Sequence, residues 1–161
     1  MRVAGTRHAE FTTRHEFRTE SGIMAPSTLP DRLKFTDFVL ERLPSGRCRA
    51  RVVLTWMESD EFVGEAEGLS SQAGELRCAA EACVTALTKS VKDEIRLELL
   101  GVKAVRAFDA NVVIVSLAIP KQTAGQRLVG CFLTDEDPPR GAALAVLNAT
   151  NRMLGNRFFM R

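Results

Sequence analysis

From Leu33 onward, apolar and polar residues alternate, then change period, and then repeat the whole sequence of changes. Residues 34–40 (KFTDFVL) read as a short strand, and Pro44-Ser45-Gly46 supplies a turn. In residues 49–56 (RARVVLTW), Ala50, Val52, Leu54 and Trp56 alternate with Arg49, Arg51, Val53 and Thr55, the period of a half-buried strand. Ser59-Asp60 marks a turn, and 61–67 (EFVGEAE) reads as the return strand of a hairpin. After Gly68-Leu69-Ser70-Ser71 the period lengthens. Leu76, Ala79, Ala80, Cys83, Val84, Leu87 and Val91 then fall on one helical stripe, with Ser70 or Ser71 placed to cap it.

The second half follows the same plan. Residues 95–107 read as a long strand in which Gly101 marks a bulge or a close contact. Asp109-Ala110-Asn111 turns the chain, 112–119 (VVIVSLAI) reads as a central strand, and 127–133 follows a polar loop as a third strand. Asp137-Pro138 is a helix start, with Asp as cap and Pro at the first helical position; Gly155 stands where a left-handed C′ residue would end that helix. The expected fold is therefore α+β: two duplicated βββα units, mainly antiparallel, in one domain over 33–157, with repeats at about 33–94 and 95–155 related by a pseudo-two-fold. Val52-Val53-Leu54 and Phe62-Val63-Gly64 parallel Val113-Ile114-Val115 and Leu128-Val129-Gly130, while Ala79-Ala80 parallels Ala142-Ala143. Gly64 and Gly130 are expected to permit strand bulges. The second helix, GAALAVLNATNRML, is apolar almost all round, which predicts a contact beyond its own sheet, with a second subunit of a homodimer.

Residues 1–32 show neither period, and Pro26, Pro30, Ser21, Gly22 and Ser27 interrupt them, so this leader is expected to be mobile. It has no apolar h-region for a signal peptide, and Met24 offers a second start. Placing the leader outside the fold changes the chemistry available. The 161 residues contain two histidines, His8 and His15, and both lie in it. A Ser-His-Asp triad, a Cys-His dyad and most zinc sites are thereby excluded from the domain, and no enzyme, metal or cofactor is expected. Cys48, Cys78, Cys83 and Cys131 contain no CxxC. With Cys78 and Cys83 on different sides of a helix, the four read as reduced, buried thiols of a cytoplasmic protein. Net charge is +2, so no basic field advertises nucleic acid, and no apolar run is long enough for a membrane span.

Residues 34–155 resemble a known module, the C-terminal regulatory domain of 2-isopropylmalate synthase and the related citramalate synthases. The likeness lies in Gly64-Glu65-Ala66-Glu67-Gly68 before the Ala-rich helix at Arg77-Cys78-Ala79-Ala80-Glu81-Ala82. It continues in Gly130, in Thr134-Asp135-Glu136-Asp137, and in a helix closing on Asn148-Ala149-Thr150-Asn151-Arg152. The middle glycine of the family is Ala66 here, and its Gly-Pro-Val-Asp-Ala stretch is Gly68-Leu69-Ser70-Ser71-Gln72. The resemblance implies two repeated units, a dimer, and an end-product amino acid bound near the loops leading into the helices. No counterpart of the family's catalytic barrel is expected in the residues before the domain, so regulation would act in trans or on the chain's own oligomer.

The candidate ligand site is accordingly Gly68, Ser70, Ser71, Thr134, Asp135 and Asp137. A helix N-terminus offers unpaired N–H groups to a carboxylate or phosphate, so Gly68, Ser70 and Ser71 suit an anion, while Asp135, Glu136 and Asp137 suit an amine or cation. The plainer reading of Asp137, Ser70 and Ser71 is that they cap helices. Trp56 reads as core or interface, and Arg47, Arg49 and Arg51 as a solvated strand face. The expected function is a non-catalytic dimerisation module of regulatory type that senses a small molecule, possible ligands being an amino acid or small carboxylate, or docks a protein partner. The alternatives are an RNA-binding βββα module, which acids at the second helix entrance disfavour, and a small enzyme using carboxylate or Cys residues.

Overall fold

A computed structural model describes residues 33–57, 59–92, 95–107, 109–120 and 126–158. The leader expected to be mobile, residues 1–32, and the second start at Met24 lie outside these residues. Strands β1 (Lys34–Arg42), β2 (Arg47–Trp56) and β3 (Asp60–Leu69) lead into helix α1 (Gln72–Ser90). Strands β4 (Glu98–Ala107), β5 (Ala110–Ile119) and β6 (Gln126–Thr134) lead into helix α2 (Pro138–Phe158). The duplicated βββα arrangement is thus present as two antiparallel three-stranded sheets, ordered β1-β2-β3 and β4-β5-β6.

Alternation along each central strand decides its orientation. Cys48, Ala50, Val52 and Leu54 of β2, and Val113, Val115 and Leu117 of β5, are fully buried under the helices. Each helix lies on its own sheet, the two helices pack on each other, and each also reaches the first strand of the other repeat, α1 to β4 and α2 to β1. One core results, running from Leu54 and Leu87 to Val115 and Val146. The helices are small-residue wedges: Ala79, Ala80, Ala82, Cys83 and Ala86 of α1, and Ala142, Ala143, Ala145 and Val146 of α2, are buried. The stripe read from spacing was only part of the buried surface of α1, because Cys78, Ala82 and Ala86 face inward as well.

Four expectations require correction. Gly64 and Gly130 sit in regular register opposite Val52 and Val115, with no bulge. Their role is close approach: a Cβ at Gly64 would lie 2.0 Å from the carbonyl oxygen of Ala82, and one at Gly130 would lie 2.1 Å from that of Ala145. Register shifts lie instead in the first strand of each repeat, between Phe35 and Asp37 in β1 and between Leu99 and Gly101 in β4. Gly155 does not end α2, which continues to Phe158, since one glycine costs a helix only about 1 kcal/mol. The surplus apolar surface of α2 is covered by α1 and β1 of the same chain, so this helix gives no evidence of a second subunit. Finally, Cys48, Cys78 and Cys83 are buried but Cys131 is exposed, because it occupies an outward position of β6. No helix among the described residues is long and apolar enough to cross a membrane.

Candidate functional site

Both helix entrances open into one cleft of about 780 Å³. Its walls are Phe38, Leu40 and Arg42 of β1, Ser70 to Gln72 with Glu75 and Leu76 at the start of α1, and Glu136 to Pro139 at the start of α2. The two repeats therefore contribute jointly. Arg140, one residue beyond this wall, places its guanidinium 5.6 Å from the ring centre of Phe35, tying α2 to β1 beside the opening.

The α1 entrance is built by local hydrogen bonds. Gly46, with φ +73°, turns the β1–β2 hairpin so that its carbonyl oxygen accepts from Ser70 N–H at 2.9 Å. Ser71 takes an extended conformation (φ −133°, ψ 160°), and its Oγ accepts from Gly74 N–H at 3.2 Å while its carbonyl accepts from Glu75 N–H. Gln72 and Ala73 N–H, at the first two helical positions, have no intrahelical partner. Glu75 is 8% exposed, yet it is charged. Arg42 donates to it through Nε and Nη2 at 2.5 and 2.8 Å, and this hydrogen bonding holds the Glu75 carboxyl below the usual carboxylate range against the opposing effect of burial. The Arg42 side chain is largely exposed and retains unused N–H groups facing solvent.

The α2 entrance has the opposite character. Asp137 Oδ1 accepts from Arg140 N–H at 3.0 Å and its carbonyl from Gly141 N–H at 2.9 Å, so Asp137 is the cap. Thr134 Oγ1 accepts from Asp137 N–H at 3.3 Å. Pro138 and Pro139 carry no N–H, which leaves this helix end without a free donor in its first turn. What it presents to the cleft is carboxylate oxygen, from Glu136 and Asp137, beside the apolar faces of two prolines.

Of the six candidate residues, Ser70, Ser71 and Asp137 line the cleft, while Gly68, Thr134 and Asp135 do not. Gly68 lies behind α1, where a Cβ would stand 3.3 Å from Gly74 O and 3.4 Å from Cys78 Cβ. Thr134 acts behind the cap, and Asp135 is exposed away from the wall. The sequence reading missed Arg42, Gln72 and Glu75. Arg42 and Glu75 meet across 33 residues of chain, and no local spacing signals that pairing. The basic strand face of Arg47, Arg49 and Arg51 is knitted to Glu67, Asp37 and Glu65, led by Arg49 to Glu67 at 2.6 Å. Trp56 is half-buried at the end of β2. Among the described residues no group of three or more His, Cys, Asp or Glu is placed to hold a metal ion. No protein-family model matches the chain, and no curated protein resembles it significantly.

Proposed function

We propose that this protein is a non-catalytic, regulatory binding module for a small zwitterion, an α-amino acid with an apolar side chain. One observation carries the reading: across a single cleft, the α1 entrance offers donors and the α2 entrance offers acceptors. A ligand carboxylate suits Gln72 and Ala73 N–H with the spare donors of Arg42. The ammonium group suits Glu136 and Asp137, and a hydrocarbon side chain suits Phe38, Leu40, Leu76 and the two prolines. The likeness of residues 34–155 to an amino-acid-sensing regulatory domain supports the same assignment. The acids at the α2 entrance also favour a small amine over a nucleic-acid backbone.

Isothermal titration of the full chain with leucine, isoleucine and valine tests this, with the corresponding amino-acid amides and 2-oxo acids as controls. The amino acids are expected to bind and both control series to be weaker. D137N separates the two roles of that residue, because Asn caps a helix as well as Asp does but lacks the charge. Its melting temperature should stay near that of the wild type while amino-acid affinity falls about tenfold, a loss of about 1.4 kcal/mol. Absence of heat with all three amino acids removes the proposal.

A further inference from the structure

Each three-stranded sheet has two edges, and three of the four carry devices that discourage a further strand. β1 and β4 break register, between Phe35 and Asp37 and between Leu99 and Gly101. β3 carries Asp60, Glu61, Glu65 and Glu67, and Lys89 Nζ donates to its Val63 carbonyl oxygen at 2.6 Å. β6 is different. Its register is unbroken from Gln126 to Thr134, it contains no proline, and Arg127 is its one charged residue. Asn148 Nδ2 donates to Cys131 O at 2.9 Å, which marks the direction of the unpaired groups. Along an antiparallel strand a residue's N–H and C=O point the same way, and successive residues alternate. The main-chain groups of Arg127, Val129, Cys131 and Leu133 therefore face the free edge. The first repeat has the same parity: Ser70 N–H donates to Gly46 O across β2 and β3, so Val63 faces outward, where Lys89 meets it. The side chains of the four β6 residues lie on the outer face of the sheet. Val129 is 67% exposed and Leu133 57%, against 38% for Ile114 on central β5, which has a strand on both sides.

We propose that the free edge of β6 is a docking site for an extended segment of another protein, added antiparallel as a fourth strand. A row of unpaired N–H and C=O groups is matched by extended backbone and not by a helix, whose own groups are already paired. The side chains of β6 define the chemistry of the segment. It carries apolar, β-branched residues opposite Leu133 and Val129 and a small residue opposite Cys131. Opposite Arg127 it carries an acid, because Arg127 has no ion-pair partner among the described residues. The other charges of this outer face, Lys103 and Glu98, stand on β4, three strands from the newcomer at about 14 Å, and take no part in the pairing. Asp135 lies past the end of β6, in the bend before α2. The incoming amide replaces Asn148 at Cys131 O, and the exposed Asn148 side chain turns to water. A second copy pairing through β6 would bring a second α2 and a second Asn148 to the same line, whereas a lone strand brings neither. β6 lines no part of the helix-entrance cleft, so either reading can fail without the other.

The probe is a fluorescent synthetic peptide matched to the nine residues of β6, in which threonine alternates with valine, alanine, valine and glutamate, in that order. Titrated with the full chain, it should show saturable binding by anisotropy, and hydrogen exchange at Val129, Cys131 and Leu133 should slow once it is added. Methylating the peptide amides that face β6 keeps every side chain but removes the pairing, and affinity should fall about tenfold or more. R127E should weaken the glutamate peptide about threefold to tenfold and favour its lysine counterpart, while V39D, on the first sheet, changes nothing. Absence of saturable binding overturns the proposal, as does equal affinity for the methylated peptide or a wild-type preference for the lysine one. So does protection of the three amides before any peptide is added. In that case residues 1–32 or a second copy already fill the edge, and sedimentation at increasing concentration distinguishes the two.

Discussion

At Gly64 and Gly130 a hydrogen atom in place of a methyl group allows strand and helix backbones to touch. G64A and G130A each force a main-chain shift, with an expected loss of about 1–3 kcal/mol or more in urea unfolding. G101A, where a Cβ meets nothing within 4 Å, should be close to neutral. The thiols differ as sharply. Burial, with Cys48 alongside, pushes the Cys78 thiol up to about 12, and burial alone raises that of Cys83, so neither supplies thiolate near neutral pH. Alkylation of the native protein at pH 8, followed by mass spectrometry, should label Cys131 first and leave Cys48, Cys78 and Cys83 protected until unfolding. Ser71 and Asp137 were legible in the sequence because a cap is a local device: an oxygen acceptor just before a helical period. At Gly64 and Gly130 the sequence does not separate the two possibilities, since a bulge and a close approach leave the same mark in a single chain.

Elements were read more reliably than the contacts between them. Period-2 alternation marked β2 because the sheet has one buried face, and the shift to helical spacing at α1 was equally plain. The second buried face of α1 was hidden because Ala and Cys carry little hydrophobic contrast. Arg42 and Glu75 illustrate the harder case, an ion pair that fastens the end of β1 to the first turn of α1. Because the Glu75 carboxyl titrates lower in the folded than in the unfolded chain, its contribution is complete above the unfolded value near 4.5. It is lost as pH falls through the folded value. E75Q is expected to lower stability by about 1–2 kcal/mol at pH 7, less than for a sealed pair because Arg42 can turn to water. Urea melts from pH 7 to pH 3 should show the wild type and E75Q converging in the acid range. A constant gap would assign the effect to packing instead.

For the whole molecule, the repeat was legible, but the way its halves exchange contacts was not. No spacing rule states that α1 reaches β4 or that α2 reaches β1. These contacts predict that the halves are not independent folding units. Fragments 1–94 and 95–161, purified separately, should each lack a cooperative thermal transition, and mixing them should restore one with the far-ultraviolet spectrum of the intact chain. Independent melting of either fragment would count against the shared core.

The cleft has no complete wall in either repeat: β1 and the α1 entrance come from one, Glu136 to Pro139 from the other. A molecule held there has affinity only for the docked arrangement and none for a chain whose halves have separated. Occupancy and cohesion are therefore linked by mass action, and a ligand at about one hundred times its dissociation constant would add about 2.7 kcal/mol to the cohesion of the whole domain. With such a ligand bound, the duplicated chain would have a property that neither repeat could have alone: its mechanical integrity would become a readout of solute concentration.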